Sequence, residues 1–328
     1  MTALYDIKGV SKRFRIGTRL SAQGVRTLQA VDNVTLSIMP GETLGLVGES
    51  GCGKSTLARC LSRLSDISEG QLLFDGTDIS GLNARQMRVH RRKIQMVFQD
   101  PYASLNPRRR VADLIAEPLR IHLKLSESDV QTRVAHLLEQ VGLLPDQAQR
   151  YPHEFSGGQR QRIGIARAIA LEPKMVILDE PVSALDVSVQ AQIVNLLADL
   201  QDRLKLTYLF VAHDLSVVRQ VSTRIAVMYL GSIVEIGAAD QIFSAPAHPY
   251  TQALISAVPK PVYADGVTRN RIILSGDVPS PLHPPSGCRF HTRCPVAQGK
   301  CRTERPMLLQ RPDGRSVACH FPIDAPPA

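Results

Sequence analysis

The sequence predicts an α/β protein with a mostly parallel sheet, followed by a small cysteine-rich part at the C-terminal end. Strand-like apolar runs alternate with helical patterns, which implies right-handed crossovers between parallel strands. Polar side chains follow several of these runs, as expected at the carboxyl ends of such strands. From Pro259 onward, prolines break up any long element. We therefore divide the 328 residues into a large domain, 1–258, and a Pro-rich, Cys-rich extension, 259–328.

Composition narrows the class of protein further. Hydrophobic residues make up 44% of the chain, only 5% are aromatic and none is Trp, which fits an aliphatic core between a sheet and helices. No window approaches the ~20 uncharged apolar residues of a membrane-spanning helix, and the N-terminus lacks the apolar core of a signal peptide. We expect neither a membrane span nor secretion. The net charge of +9 suits nucleic acid, anionic lipid and acidic ligands equally, so it does not choose among them.

The N-terminal third consists of predicted strands around a glycine-rich loop. Residues 4–16 and 28–38 predict strands, and the apolar strand "TLGLVG" runs directly into a loop and a helix that begins near Lys54. Residues 70–79, "GQLLFDGTDI", predict a strand with an Asp-Gly turn. Residues 94–100, "IQMVFQD", predict a buried strand.

A helical insert is predicted from Asn106 to Tyr151. Ser126 and Asp129 form a capping signature, and apolar residues then recur at helical spacing up to Gly142. A helix after "SGGQ", the buried strand "MVILDE", another helix and the strand "TYLFVAHD" continue the alternation. We expect a helical subdomain at about 101–155, between two halves of the sheet.

The glycine-rich stretch "GESGCGKST", residues 48–56, has the spacing G-x-x-x-x-G-K-[ST] of a phosphate-binding loop. Its glycines let backbone N–H groups point at phosphates, and the helix N-terminus adds a partial positive charge. Lys54 would reach the β- and γ-phosphates, and the Ser55 hydroxyl would bind Mg²⁺. A glycine-rich turn without a ligand is the structural alternative. The predicted ATP contacts in the loop are Gly48, Glu49, Ser50, Gly51, Cys52 (through its backbone N–H), Gly53, Lys54, Ser55 and Thr56.

Two carboxylates end the strand "MVILDE". Asp179 would hold Mg²⁺ and Glu180 would polarise the attacking water, which predicts hydrolysis of ATP with Mg²⁺. Taken alone, two carboxylates at the end of a strand are better interpreted as solvent-exposed side chains without a catalytic role. Together with the phosphate loop, they favour the catalytic interpretation.

A second glycine-rich turn, formed by Ser156, Gly157, Gly158 and Gln159, also opens a helix. A helix N-terminus is another anion site, yet one chain that binds one nucleotide does not need both. Here the sequence resembles the ATP-binding subunits of ABC transporters, whose signature is this SGGQ. The resemblance implies a P-loop NTPase fold with an antiparallel β subdomain and a helical subdomain. It also implies that two such domains sandwich two ATPs head to tail, so that each SGGQ serves the nucleotide of the other chain.

The same resemblance assigns roles to four further residues. Gln99 matches the residue that touches Mg²⁺ and water and reports to the membrane subunit; a surface Gln is the alternative. Asp186, in "SALD", matches the loop that crosses the dimer, and a helix N-cap is compatible with that role. His213 matches the switch histidine at the γ-phosphate, where the alternative is a structural His. Phe14 falls where the family stacks an aromatic ring on adenine, and would otherwise be a strand residue of the core. The implied Mg²⁺ ligands are Ser55, Gln99 and Asp179, and the implied catalytic residues are Lys54, Glu180 and His213.

Longer stretches, among them "HPYTQALISAVP" and "GDVPSPLHPPSGCRFHTRC", resemble the oligopeptide/dipeptide/nickel branch of bacterial importers. "RYPHEFSGGQRQRIGIARA" is similar to the second of the two ATPase subunits of such systems, the F subunit. The resemblance implies a peripheral ATPase at the cytoplasmic face of the inner membrane. Its implied partners are a homologous second ATPase subunit in a heterodimer, two transmembrane permeases and, indirectly, an extracytoplasmic peptide-binding protein. Dipeptides or oligopeptides would be imported, with nickel, glutathione or another small solute as alternatives.

Four of the six cysteines lie within 32 residues: Cys288, Cys294, Cys301 and Cys319. Four thiolates suit a structural Zn²⁺ or an iron–sulfur cluster, and the lack of C-x2-C pairs weakens the zinc interpretation. Members of the branch are described with a [4Fe–4S] cluster in this region, so we favour the cluster. His291 and His320 lie beside the cysteines and could replace one ligand. Four reduced cysteines in a loop-rich lobe, or a redox sensor, are the alternatives.

Two other classes of ATPase share these motifs. DNA-repair ATPases insert long coiled coils between the phosphate loop and SGGQ, whereas roughly a hundred residues without heptads lie between them here. Translation-associated ATPases normally fuse two such domains, and this chain has one. The basic stretch from Arg85 to Lys93 carries no interleaved aromatic residues for base stacking, so we expect no nucleic-acid partner.

Overall fold

The structure, a computed structural model, describes residues 2–17, 25–100, 104–258 and 272–323. Its strands, in chain order, are β1 (Tyr5–Ile16), β2 (Arg26–Ile38), β3 (Thr43–Val47), β4 (Glu69–Phe74), β5 (Thr77–Asp78), β6 (Ile94–Val97), β7 (Met175–Asp179), β8 (Thr207–Val211), β9 (Arg224–Tyr229), β10 (Ser232–Ala238), β11 (Leu309–Gln310) and β12 (Ser316–Val317).

The α-helices lie between these strands along the chain. In chain order they are α1 (Lys54–Leu61), α2 (Ala84–Lys93), α3 (Val111–His122), α4 (Glu127–Gln140), α5 (Gly157–Ile169), α6 (Val187–Leu204), α7 (Leu215–Val221), α8 (Ala239–Ser244), α9 (Pro249–Ser256) and α10 (Gly299–Thr303). Short 3₁₀ helices span Pro145–Gln149 and Pro152–Glu154. Within the described ranges, no helix combines the length and the apolar character needed to cross a membrane.

The chain forms two compact units, each assembled from separate segments. The first contains Met1–Leu4, Ile38–Thr43 and Gly81–Ala212. The second contains Tyr5–Ser37, Leu44–Ser80 and His213–Ala328.

The first unit contains a parallel set of strands in the order β8-β7-β6. Every residue of β7 and β8 is buried, which explains why both appear in the sequence as continuous apolar runs. Helix α4 begins where the capping signature predicted, because the Ser126 hydroxyl accepts a hydrogen bond from the backbone N–H of Asp129. The strands predicted around "IQMVFQD", "MVILDE" and "TYLFVAHD" are confirmed.

The second unit contains an antiparallel sheet and a mixed one. The antiparallel sheet has the order β2-β1-β4-β5, and Asp75 and Gly76 form its β4–β5 turn, both with positive φ, as the Asp-Gly signal predicted. In the mixed sheet, β3 pairs in parallel with β9, whereas β9 and β12 flank β10 in antiparallel fashion. The parallel pairing of β3 with β9 agrees with the predicted parallel sheet, and the antiparallel strands β10 and β12 make this sheet mixed.

The C-terminal residues do not form the separate small domain that the sequence suggested. Residues 272–323 fall within the second unit, and the β11–β12 hairpin pairs with β10 through Ser316 and Val317. Strand pairing and buried side chains, described below, attach this loop-rich segment to the unit. Pro259 and Pro261, on which the predicted boundary depended, lie outside the described residues. The boundary at residue 258 stays a prediction.

Candidate active site

The phosphate loop lies in the second unit, between β3 and α1. Strand β3 is completely buried, and Gly53 precedes the first helical residue with φ 107° and ψ 3°. A Cβ on Gly53 would lie 2.2 Å from the carbonyl oxygen of Ala30, so only glycine fits there. Gly53 has no side chain to cap α1, and the partial positive charge of a helix N-terminus favours an anion there.

The Lys54 side chain is held inside this loop. Only 4% of the residue is exposed, and its Nζ donates hydrogen bonds to the carbonyl oxygens of Gly48 and Glu49, at 2.8 and 3.1 Å. Burial raises the pKa of the neighbouring Cys52 thiol. The predicted ATP contact through the Cys52 backbone N–H stays a prediction. The loop therefore combines the positive charge of Lys54 with a helix N-terminus, two features that favour binding of a polyphosphate.

Glu49 receives contacts from two residues that the sequence analysis did not select. Its backbone N–H donates a 2.9 Å hydrogen bond to the Tyr250 hydroxyl, and its carboxylate accepts two from the Arg293 guanidinium, at 2.7 and 3.1 Å. Tyr250 and Arg293 lie in "HPYTQALISAVP" and "GCRFHTRC", which had marked the family branch only. Separations of 201 and 244 residues from Glu49 leave no local spacing that could reveal these contacts.

The two carboxylates lie in the first unit, at the carboxyl end of β7. Asp179 is the last residue of the strand and is buried, and the backbone N–H of Glu180 donates a 2.9 Å hydrogen bond to the carbonyl oxygen of Val211. Glu180 has φ +47°, an uncommon conformation for a non-glycine residue and one that concentrates at functional sites. The side-chain amide of Gln99 donates to a carboxylate oxygen of Glu180 at 2.8 Å, so the structure brings these two predicted residues together.

The SGGQ turn also lies in the first unit and opens α5. The Ser156 hydroxyl accepts a hydrogen bond from the Gln159 backbone, and the Gln159 side chain accepts one from the Ser156 backbone, which forms a capping box. A Cβ on Gly158 would lie 2.4 Å from a methyl group of Val189 on α6, so this glycine allows close helix packing. Ser156 is exposed and Gly157 half-buried, which leaves this helix N-terminus accessible.

Asp186 is the N-cap residue of α6. This capping role is compatible with the dimer contact predicted for Asp186. Its carboxylate accepts hydrogen bonds from the Val189 backbone at 2.9 Å and from the Ser188 hydroxyl at 2.6 Å. These bonds hold the pKa of Asp186 below its usual value. The predicted dimer contact itself stays a prediction.

His213 and Phe14 belong to the second unit. His213 is exposed and directly precedes Asp214, the N-cap residue of α7. Phe14 lies on β1 with 38% of its surface exposed, and the Lys12 ammonium is 4.9 Å from its ring centroid. The alternative that Phe14 belongs to the core is therefore wrong, whereas its stacking on adenine stays a prediction.

The four clustered cysteines line one cavity, together with His248, Phe290, His291 and His320. All four are free thiols. Burial raises the pKa of Cys288 and Cys294 above the usual thiol value. Burial also raises the pKa of Cys319, to about 11. In the part of the chain that the structure describes, no three His, Cys, Asp or Glu side chains are arranged to hold a metal ion. The predicted metal-binding property is thus not supported, although the cysteines do converge.

Comparison with known proteins decides the family. Residues 31–183 match the ABC transporter family, and residues 234–301 match the oligopeptide/dipeptide transporter C-terminal region. The oligopeptide transport ATP-binding protein OppF of Salmonella typhimurium is 56% identical, over 93% of this chain and 92% of its own. AppF of Bacillus subtilis, with the same description, is 52% identical over 97% of both chains. The chain belongs to the oligopeptide branch of the ABC transporter ATP-binding proteins.

Solved ABC structures support the fold assignment. A dimeric ATP-binding cassette in a post-hydrolysis state, bound to ADP and Pi, is 29% identical, with a TM-score of 0.65 over 72% of this chain and 98% of that one. CbiO1 of Clostridium perfringens, part of an ABC transporter complex, is 27% identical, with a TM-score of 0.65 over 74% of this chain and 92% of that one. The predicted P-loop ABC ATPase fold and family resemblance are confirmed. The region matched at 234–301 includes Tyr250 and Arg293, the two residues that contact Glu49.

Proposed function

We propose that this chain is the ATP-hydrolysing subunit of an ABC importer that takes up dipeptides or oligopeptides. The observation that carries the proposal is the identity of 52–56% to oligopeptide transport ATP-binding proteins over nearly the whole chain. The phosphate loop, the carboxylates after β7 and the SGGQ turn supply the groups that ATP hydrolysis requires.

In the second unit, the loop from Gly48 to Thr56 binds the phosphates through backbone N–H groups, and Lys54 stabilises the β- and γ-phosphates. Phe14 stacks on adenine, and His213 donates a hydrogen bond to the γ-phosphate.

In the first unit, Glu180 is the general base that removes a proton from the attacking water, and Gln99 orients the Glu180 carboxylate through their hydrogen bond. The amide oxygen of Gln99 and the carboxylate of Asp179 are oxygen donors of the kind that Mg²⁺ prefers, and both are proposed as ligands of the ion. The Ser55 hydroxyl, in the second unit, is proposed as a Mg²⁺ ligand as well. The ion would supply charge neutralisation when bound.

The SGGQ turn acts on a nucleotide held by another chain. Its accessible helix N-terminus suits a γ-phosphate, and Ser156 and Gly157 would approach it from the opposite side of the dimer. Asp186 would contact the partner across the same interface. The partner is a homologous ATPase subunit in a heterodimer, and a dimer of this chain is the alternative.

The remaining partners follow from the family. Two membrane permeases would receive the helical subdomain at the cytoplasmic face of the inner membrane, and an extracytoplasmic binding protein would deliver the peptide. A nickel, glutathione or other small-solute importer is the second candidate within the same class. Uptake of labelled di- and oligopeptides, nickel and glutathione by cells with and without this chain distinguishes these solutes.

A [4Fe–4S] cluster is the proposed occupant of the cysteine cavity. All four thiols line that cavity, and each iron of such a cluster takes one thiolate. Zn²⁺ requires all four sulfurs within about 2.3 Å of a single point. Anaerobic purification with iron, sulfide and zinc analysis distinguishes the two. ATPase activity before and after oxidation tests the redox-sensor alternative.

Replacement of Glu180 by Gln tests the ATPase assignment. The variant should bind ATP, lose turnover and accumulate as an ATP-bound closed dimer, because the base is absent while the binding groups remain. Glu139→Gln, which changes an exposed carboxylate on α4, is the matched control and should behave as wild type. Unchanged turnover in Glu180→Gln would refute the assignment.

A further inference from the structure

We propose that Arg293 is a positioning residue for the phosphate loop: it holds the carboxylate of Glu49 in place and neutralises its charge beside the triphosphate. The inference rests on the proposed role of the loop in ATP binding. It adds a residue of the C-terminal region to the machinery that sets nucleotide affinity.

The ion pair between Arg293 and Glu49 differs from an ordinary surface pair. Two nitrogens of the guanidinium face two oxygens of the carboxylate, and the side chains are only 8% and 27% exposed. Two-pronged, charge-assisted hydrogen bonds in such partly buried sites fix geometry better than exposed pairs do. Arg293 therefore restrains the orientation of Glu49.

Glu49 in turn connects to Lys54. The carbonyl oxygen of Glu49 accepts a hydrogen bond from the Lys54 ammonium at 3.1 Å, and the backbone N–H of Glu49 donates one to the Tyr250 hydroxyl. Displacement of Glu49 would disturb both contacts. Glu49 thus links Arg293, which binds its carboxylate, to the lysine that is proposed to stabilise the phosphates, which binds its carbonyl oxygen.

The charge of Glu49 matters as well as its position. A carboxylate within a phosphate-binding loop repels the anionic ligand, and this repulsion is strong where water is partly excluded. Arg293 compensates that charge. Without Arg293, the loop would carry an uncompensated negative charge beside the proposed phosphate site.

The segment Cys288–Cys294 gives Arg293 a rigid base. Arg289 pairs with the buried carboxylate of Asp32 and donates to the carbonyl oxygen of Leu230. The next residue, Gly231, donates from its backbone to the carbonyl oxygen of Cys52 in the phosphate loop, at 2.8 Å.

Phe290 fixes the same segment from its apolar side. Its ring centroid lies 5.2 Å from that of Tyr229 and 5.4 Å from that of Tyr250. Cys288 and Cys294, at the ends of the segment, both line the cysteine cavity, so Arg293 directly precedes a residue of the cavity wall.

The test measures binding of a fluorescent ATP analogue to the full-length chain. Arg293→Gln should raise the Kd about tenfold, since about 1.4 kcal/mol of lost binding corresponds to that factor. Arg293→Lys keeps the charge without the two-pronged geometry and should raise it about threefold. Arg302→Gln, which removes an exposed charge in the same C-terminal region, is the control and should leave the Kd unchanged.

The double variant Glu49→Gln/Arg293→Gln separates positioning from general stability. If Arg293 neutralises Glu49, the double variant should bind the analogue more tightly than Arg293→Gln alone. In the assembled transporter, Arg293→Gln should raise the KM for ATP more than it lowers kcat.

Three results would overturn the inference. They are a wild-type Kd in Arg293→Gln, a double variant at least as weak as Arg293→Gln, and a loss of Tm without a change in Kd. If Arg293→Gln does not fold, an unchanged Kd in Arg293→Lys would overturn it equally.

Lys54→Ala separates these failures from a failure of the proposed function. If Lys54→Ala binds the analogue as wild type does, the phosphate loop is not the nucleotide site and the proposed function fails. If Lys54→Ala abolishes binding and Arg293→Gln does not weaken it, only the inference fails.

Discussion

Replacement of Gly53 by Ala should disable the phosphate loop because the new methyl group has no space. A Cβ at this position would lie 2.2 Å from the Ala30 carbonyl oxygen, whereas real Cβ atoms essentially never come closer than 3.0 Å. The start of α1 and strand β2 would therefore have to move apart by about 1 Å. A misplacement of about that size costs about 10²-fold in enzymatic rate.

Gly51 supplies the control for backbone strain. It has φ +77°, so an alanine there bears a left-handed penalty of about 1–2 kcal/mol, as at Gly53, but nothing lies within 4 Å of its Cβ. Both variants should lose a few degrees in Tm. Only Gly53→Ala should also displace the loop.

The assay is binding of a fluorescent ATP analogue together with steady-state ATPase activity of the assembled transporter. Gly53→Ala should lower turnover about 10²-fold relative to Gly51→Ala. Equal binding and equal turnover in the two variants would refute the argument from the Ala30 contact.

Three further predictions concern the second unit. Burial raises the pKa of the Cys60 thiol to about 11, whereas a cysteine thiol in an unfolded chain has a pKa of about 8.5. The unfolded chain thus loses this proton first as the pH rises. Between pH 8 and pH 10, the free energy of unfolding in urea should fall by about 2 kcal/mol more for wild type than for Cys60→Ala. Equal losses in the two proteins would show that ionisation of Cys60 is not the cause. Tyr5→Phe removes the donor to the buried carbonyl oxygen of Leu61, at 2.7 Å, and should cost about 1–2 kcal/mol in the same assay; a smaller loss would mean that water replaces the hydroxyl. Phe14→Ala should weaken binding of the ATP analogue without lowering Tm, because the ring is exposed, and a lowered Tm with intact binding would assign Phe14 to packing instead.

Local patterns predicted most of the individual elements. The strands around "MVILDE" and "TYLFVAHD" are mostly apolar, in keeping with the burial of every residue, and α4 begins at the predicted cap, Ser126. The Asp-Gly turn after β4 was also predictable, because its two positive φ angles demand such residues. In each case neighbouring residues in the chain carry the whole signal.

Long-range contacts could not be predicted in this way. The prolines of the C-terminal region suggested a separate lobe, because they prevent long elements. The lobe is nevertheless attached to the second unit through Arg289, Phe290 and Arg293, and through a two-residue strand, β12, too short to produce a periodic pattern. Single side chains that reach across hundreds of residues leave no trace in sequence spacing.

The same limit applies to the candidate site. The motifs named the phosphate loop and the carboxylates, since a short stretch of residues forms each of them. The hydrogen bond between Gln99 and Glu180 joins residues 81 apart and was found only in the structure. Tyr250 and Arg293 were missed for the same reason.

The most direct measurement of the composite site compares ATP retention by two doubly substituted transporters. The first carries Lys54→Ala here and the signature serine replaced in the partner, so only one composite site is damaged. The second carries Lys54→Ala and Ser156→Arg in this chain, which damages both. The account predicts that the first complex retains ATP and the second retains none. Retention by the second complex and none by the first would contradict it, because each SGGQ would then serve the nucleotide of its own chain.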